Sequence, residues 1–179
     1  MNRRIFLGAA LAAASTPAFA RSQHRRQQDR PRILSFHHLH TDEHLTLTYR
    51  KGDHYQRSSL ERLDRFLRDF RTGEITSIDP KLFDLLFDVK QMLGHDDAVF
   101  EILSGYRSPQ TNAMLRRTSG GVAKRSLHMS GKAIDIRVSD MPSRSIRDAA
   151  LQLGRGGVGY YSRSDFVHLD TGNVRRWGA

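Results

Sequence analysis

Two histidines and an aspartate in the C-terminal half of the chain have the types and spacing of metal ligands. His128 and Asp135 lie in the segment SLHMSGKAID, and His168 lies in FVHLD. Two imidazoles and one carboxylate can hold zinc and leave a fourth position open to water, which is the form of a catalytic site rather than a structural one. Zinc lowers the pKa of such a water toward about 7. The chain has no cysteine, so any metal must be held by His, Asp or Glu.

The predicted strands and loop around these three residues should bring their side chains close together. Residues 133–138 and 166–170 both alternate between apolar and polar side chains, which predicts two half-buried strands. The face of the first strand that would fill the core carries Ile134, Ile136 and Val138. Asp135 must then point to the other face, where a buried carboxylate needs a cation. If the two strands pair, His168 lies beside Asp135, and His128 can join them from the preceding loop.

The remaining patterns predict a single α+β domain. Alternating runs around a polar turn indicate a β-hairpin over residues 33–49, and apolar residues 98–103 indicate another strand. Helical spacing or capping signals predict four helices, over residues 58–70, 79–94, 109–116 and 143–153. Ser58 and Ser59 can cap the first helix, and Asp79 followed by Pro80 has the form of a capped start for the second. Helices that come early and strands separated by irregular loops are typical of α+β architecture.

Four histidines cluster in the predicted hairpin: His37, His38, His40 and His44. They raise the alternative of a second metal site. Adjacent strand residues face opposite sides, however, and no acidic ligand is fixed beside them in the pattern. We interpret them as hairpin surface.

The N-terminus has the pattern of an export signal. Arg3 and Arg4 precede Ile-Phe-Leu and an alanine-rich apolar run, and residues 18–20 form an A-x-A cleavage site. Paired arginines resemble the twin-arginine signal and predict a periplasmic protein. A general secretory signal or an uncleaved anchor is the alternative. Residues 21–32 have no apolar residue and predict a disordered basic linker, so the folded domain is expected over residues 33–179.

The basic character of the chain does not indicate nucleic-acid binding. The formal net charge is +10, from 29 Lys and Arg against 19 Asp and Glu. Much of the excess lies in the leader and linker rather than in a basic patch with interleaved aromatic residues. Attraction to an anionic cell envelope fits the same charge.

The motif SxHxxGxAxD with a later histidine resembles the signature of the M15 zinc peptidases. Its fixed positions are matched by Ser126, His128, Gly131, Ala133 and Asp135. The stretches SGYRSPQTN, GGVAKRSLHMSGKAIDI, GGVGYY and FVHLDTGNVRRW are similar to the DUF882 branch, which includes murein endopeptidases. The resemblance implies an α+β fold with a small antiparallel sheet and one zinc ion held by His128, Asp135 and His168.

The resemblance also implies roles for residues around the metal. Asp165, three positions before His168, matches the family's general base, although a straight strand would point it away from His168. Asp170 has the correct strand parity and is the alternative base. Arg107 matches an arginine that stabilises an oxyanion or grips a substrate carboxylate, with a structural salt bridge as the alternative. Ser126 is expected to shape the loop or orient a ligand.

Hydrolysis of peptide cross-links in peptidoglycan is the activity that the resemblance implies, and bonds between two diaminopimelate residues fit that branch best. Two alternatives remain open: trimming of D-alanine from stem peptides as a carboxypeptidase or dipeptidase, and a non-catalytic zinc protein that binds the cell wall. No stable membrane span is expected after signal cleavage. Nothing in the sequence indicates an oligomeric state.

Overall fold

The computed structural model describes residues 30–178. Within these residues the strands are β1 Pro31–His38, β2 His44–Lys51, β3 His54–Tyr55, β4 Val99–Ser104, β5 Ala133–Val138, β6 Gly157–Tyr161, β7 Phe166–Asp170 and β8 Arg175–Trp177. The α-helices of the same region are α1 Arg57–Phe66, α2 Pro80–Met92, α3 Pro109–Thr118 and α4 Ser143–Leu153, and a 3₁₀ turn covers Leu127–Ser130. The expected export signal and most of the expected linker lie outside the described residues.

All eight strands form one mixed sheet in the order β3-β2-β1-β4-β5-β7-β6-β8. The pairs β1–β4 and β6–β8 are parallel, and the other neighbours are antiparallel. The predicted α+β class is confirmed. The sheet is larger than expected and not wholly antiparallel, although its central part, β4-β5-β7-β6, is antiparallel.

The hydrophobic core lies on one face of the sheet. Alternate residues of the inner strands are buried there, and they include Phe36, Ile102, Ile136 and Val167. The helices contribute the facing apolar side chains, among them Leu63, Leu82, Leu86 and Ile146. Burial of each large apolar side chain contributes about 1.5–3 kcal/mol to folding. Because successive strand residues alternate, Asp135 and His168 project from the opposite face.

Helices α2 and α3 start at side-chain caps, Asp79 and Ser108, whereas α1 starts at tertiary contacts. Asp79 caps α2 by accepting a hydrogen bond from Lys81 N, and Pro80 takes the first helical position, as predicted. Helix α1 begins at Arg57 with no side-chain cap, so the predicted Ser58 and Ser59 caps are wrong. The Ser59 hydroxyl instead donates to Thr48 O, across 2.8 Å.

The first strand starts two residues earlier than the sequence indicates. Strand β1 starts at Pro31, and Arg32 forms an ion pair with the buried Asp84 across 3.1 Å. Asp84 also pairs with Arg50 and accepts a hydrogen bond from the Tyr49 hydroxyl. Arg32 belongs to a basic run of the sequence, and nothing near it in that run indicates that Asp84 is its partner. Within residues 30–178, no helix is long and apolar enough to cross a membrane.

Candidate metal centre

Strand pairing brings the three candidate ligands together. In the β5–β7 register, Asp135 lies opposite His168, and their Oδ1 and Nδ1 atoms are 2.8 Å apart. His128, on the 3₁₀ turn before β5, places its Nε2 3.3 Å from Asp135 Oδ1 and 3.2 Å from His168 Nδ1. All three residues are buried. The two imidazoles and the carboxylate therefore face one point.

The 3₁₀ turn explains the serine and glycine of the motif. Ser126 precedes the turn, and its hydroxyl accepts a hydrogen bond from His128 N at 3.4 Å. Gly131 ends the turn with a φ of 65°, in the left-handed region, and a Cβ there would lie 2.3 Å from Ser77 O. Any larger residue would displace the turn that carries His128. Ser126 is thus a loop-shaping residue in this structure.

A hydrogen bond on the side of the His128 ring away from the cluster fixes the orientation of that ring. Its Nδ1 donates a hydrogen bond to Gly105 O across 2.7 Å. A carbonyl oxygen can only accept, so Nδ1 carries the proton and the lone pair lies on Nε2. This is the tautomer that a metal ligand requires at Nε2.

His168 is oriented in the same way by Asp170. Its Nε2 lies 3.0 Å from Asp170 Oδ2, which leaves Nδ1 facing the cluster. Asp170 is fully buried and accepts further hydrogen bonds from Arg175 and from the backbone N–H groups of Gly157 and Gly172. Burial opposes ionisation, but these hydrogen bonds outweigh it and hold the pKa of Asp170 well below its usual range. Asp170 therefore lies behind His168 as an orienting carboxylate.

The cluster favours positive charge at its centre. Burial would raise the pKa of Asp135, but His128 and His168 outweigh it and hold that pKa far below its usual range. Burial would lower the pKa of His168, but Asp135 and Asp170 outweigh it and raise that pKa to about 8. Asp135 is therefore ionised, and a cation beside it is stabilised.

The donor set fits a divalent metal ion. The three ligand atoms lie within 4.8 Å of one another. Metal bonds of about 2.0–2.2 Å in a tetrahedron place neighbouring ligand atoms about 3.3–3.6 Å apart. The separations of 2.8–3.3 Å need only a small outward adjustment to reach these values. Both imidazoles also have the hydrogen-bonded outer nitrogen typical of metal ligands.

Arg107 lies beside the cluster at the end of the loop that follows β4. Its Nη2 is 3.6 Å from Asp135 Oδ2 and 3.5 Å from Ser104 Oγ. Its backbone N–H donates to His128 O across 3.2 Å, which links the two segments. Burial lowers the pKa of the Arg107 guanidinium, while Asp135 opposes this shift. Arg107 pairs with Asp135 and also lines the adjoining cavity. This placement fits both sequence interpretations, a salt bridge and a contact with substrate.

Asp165 is not brought to the cluster. Its φ of 49° provides a bend at the entry to β7, as its expected role requires. Its carboxylate, however, accepts a hydrogen bond from the Ser143 hydroxyl at the start of α4. Its backbone carbonyl accepts one from Arg137. The side chain is thereby directed to α4 rather than to the histidines.

A cavity of about 390 Å³ opens above the cluster. Its lining includes the basic residues Arg107, Arg125 and Arg175 and the aromatic residues Tyr161, Phe166 and Trp177. Among the described residues that line it, Asp135 is the one carboxylate. Sequence reasoning missed most of these wall residues. The stretch FVHLDTGNVRRW contains Phe166, Arg175 and Trp177. The last two lie on β8, which is too short to predict from a pattern.

Trp177 reaches the cavity because β6 has a glycine beneath it. A Cβ at Gly159 would lie 2.5 Å from Trp177 Cε2. The indole N–H donates to the Tyr161 hydroxyl across 3.0 Å, and the indole ring lies 5.1 Å from the His168 ring. The aromatic wall is therefore packed directly against a ligand.

Comparison with known proteins identifies the family of this chain. The Peptidase_M15_2 family, described as peptidoglycan L,D-endopeptidase MepK, matches residues 26–177. The peptidoglycan L,D-endopeptidase MepK of Escherichia coli K12 is 46% identical over 98% of this chain and 97% of its own. The probable peptidoglycan L,D-endopeptidase MepK of Haemophilus influenzae is 43% identical over 83% of this chain and 80% of its own. The chain therefore belongs to the Peptidase_M15_2 family of peptidases.

Proposed function

We propose that the protein is a zinc-dependent endopeptidase that hydrolyses peptide cross-links in peptidoglycan. The observation that carries this is the buried cluster of His128, Asp135 and His168 at the base of a solvent-connected cavity. Family membership supports peptide hydrolysis, and the relatives' names support an L,D bond in peptidoglycan as the target. Peptide bonds between two diaminopimelate residues are our preferred substrate.

His128, Asp135 and His168 would hold one zinc ion, which would activate water and polarise the scissile carbonyl. The protein's own contribution is to keep the ligands in place. Gly105 O holds the ring of His128, and Asp170 holds the ring of His168. Because both outer nitrogens are occupied, neither ring can turn away when substrate enters.

Arg107 is suited to stabilise the negative charge that develops on the carbonyl oxygen. Its guanidinium is half-buried beside Asp135 and lines the cavity. A fixed positive group in a water-poor site stabilises developing charge more strongly than solvent does. The ion pair with Asp135 also limits its rotation, so it needs little reorganisation during the reaction.

The cavity walls fit the chemistry of peptidoglycan stem peptides. These peptides carry free carboxylates, and Arg107, Arg125 and Arg175 contribute positive charge to the cavity lining. Apolar parts of the peptide can pack on Tyr161 and Phe166, whose rings stack at 4.4 Å. An anionic, extended peptide is therefore the substrate class that this cavity suits.

Digestion of purified cross-linked muropeptides, with mass analysis of the products, tests the activity. Wild-type protein should convert dimers to monomers with zinc and lose this activity with a chelator. His128→Ala should lose both zinc and cleavage, while Arg117→Ala, an exposed change on α3, should retain both. Release of D-alanine alone would identify a carboxypeptidase, and intact muropeptides with zinc bound would identify a binding protein.

We further propose that the protein works in the periplasm after export by the twin-arginine route. The support is the sequence of residues 1–20, with its paired Arg3 and Arg4. Replacing both arginines with lysine should retain the protein in the cytoplasm, as measured by fractionation. Export that is unaffected by this change and by loss of the twin-arginine translocase would indicate the general secretory route.

A further inference from the structure

A second group of potential ligands lies at the tip of the β1–β2 hairpin. His37 and His44 form the last residue pair of this hairpin, and Asp42 lies in the connecting turn. Their potential ligand atoms lie within 4.8 Å of one another. We propose that His37, Asp42 and His44 bind a second divalent transition-metal ion, independent of the catalytic centre.

The two rings are close enough to share one ion. The imidazoles of His37 and His44 are stacked, with centroids 4.1 Å apart and an angle of 6° between their planes. Their planes must tilt apart before both nitrogen lone pairs can point to it, and the exposed His44 ring has room to rotate. Asp42 Oδ1 lies 2.8 Å from His37 Nε2 and 4.0 Å from His44 Nε2. One carboxylate oxygen therefore faces both nitrogens. Two imidazole nitrogens and one carboxylate favour zinc, copper or nickel over magnesium or calcium.

The turn holds Asp42 in place without using its carboxylate. Its backbone N–H donates to His38 O across 2.8 Å, and His38 N donates to Glu43 O across 2.9 Å. Asp42 has a φ of 55°, an uncommon conformation for a residue other than glycine. Because the backbone is fixed on both sides, the Asp42 carboxylate lies beside the Nε2 atoms of His37 and His44 before any ion binds.

The other polar residues of the turn are engaged elsewhere. Glu43 accepts hydrogen bonds from Thr41 and pairs with Arg68 at 2.9 Å. His38 is buried on the core face, and His40 stacks on the Phe70 ring at 4.1 Å. His38 and His40 thus pack against aromatic rings, whereas His37 and His44 lie on the open face of the sheet, the face opposite the core. The sequence interpretation of all four as surface is wrong for His38, which is buried, whereas His40 and His44 are exposed and His37 is partly exposed.

The hairpin group is too far from the catalytic cluster to share its ion. In the strand register, His37 pairs with Glu101, and Glu101 pairs with Arg137. Arg137 is two residues from Asp135 on β5. With strands about 4.8 Å apart and about 3.4 Å per residue, the backbones of His37 and Asp135 are roughly 12 Å apart. Both groups project from the same open face of the sheet. Asp42 and His44 are largely exposed, so the second ion would exchange with solvent more readily than the first.

Zinc titration of the metal-stripped full-length protein, followed by calorimetry, tests the proposal. Wild type should bind two ions, one tightly and one at least about 10-fold more weakly, because the hairpin site is exposed to solvent. His44→Ala should retain the tight ion and lose the weak one. His54→Ala, an exposed histidine on β3, should bind both ions and serves as the matched control.

Two further measurements separate this site from the catalytic one. His128→Ala should still bind the weak ion, and His44→Ala should keep wild-type peptidase activity. Addition of the second equivalent of zinc should shift the imidazole NMR signals of His37 and His44 but not that of His54. A wild-type stoichiometry of one, or a His44→Ala protein that still binds two ions, would overturn the proposal.

Discussion

The Nε2 of His168 lies 3.0 Å from Asp170 Oδ2, on the side of the ring away from Asp135. Asp170 thus fixes which nitrogen of His168 faces the metal cluster. Arg175 and two backbone N–H groups hold Asp170 in turn. The carboxylate considered from the sequence as a possible base therefore contacts the imidazole of His168.

Asp170→Asn should lower zinc affinity about 10–100-fold, because an amide orients and polarises the imidazole less well than a carboxylate. Competition with a chromophoric chelator measures this affinity. Arg176→Gln, at the exposed neighbour of Arg175, is the matched control for a change at β8. Equal zinc affinity in wild type and Asp170→Asn would show that Asp170 has no orienting role.

Arg107→Lys should reduce kcat about 10²–10³-fold without loss of zinc, because lysine provides a single mobile charge where arginine provides a fixed fork. Steady-state kinetics on a defined cross-linked peptide measures kcat, and metal analysis measures the bound zinc. Arg117→Lys on α3 should change neither. An increase in KM with unchanged kcat would instead assign Arg107 to binding a substrate carboxylate.

Asp165→Asn distinguishes the family-derived base from the observed placement. Since the carboxylate contacts Ser143 rather than the cluster, we expect less than about a 10-fold loss of kcat. Removal of a true general base would cost about 10²–10⁴-fold. Measured kcat in that larger range, with zinc retained, would show that Asp165 turns into the cavity during catalysis.

Asp69 gives a pH-dependent contribution to stability. It is buried and accepts hydrogen bonds from Ser108 N and Arg71 N, which secures the segment that follows Arg107. Burial opposes ionisation, but these bonds and the hydroxyls of Thr111 and Ser108 lower the pKa of Asp69 to about 2. The folded pKa is below the unfolded one, so this stabilisation is complete above about pH 4 and is lost as the pH falls toward about 2.

Asp69→Asn should therefore lower the free energy of unfolding by about 2 kcal/mol at pH 7. The difference from wild type should shrink as the pH falls from about 4 to about 2, since the wild-type carboxyl becomes protonated. Urea denaturation at pH 7 and pH 3 measures both values. A difference that is the same at both pH values would mean that the ionised form is not what the surrounding hydrogen bonds stabilise.

The sequence by itself determined the elements whose signals are local. Alternation in residues 133–138 and 166–170 predicted β5 and β7, and it correctly placed Asp135 and His168 on the face opposite the core. Asp79-Pro80 predicted the start of α2 because capping involves only neighbouring residues. The motif spacing also identified His128, since a short turn before a strand limits where its side chain can reach.

Only the tertiary structure decided the contacts between distant segments. Arg32 with Asp84, Asp69 with Ser108, and Asp165 with Ser143 join residues that no periodic pattern connects. The width of the sheet was likewise undetermined, because the parallel β1–β4 pair forms across a long connection. Strand parity fixes the face on which a side chain lies, but the partner it meets there depends on how the whole sheet assembles.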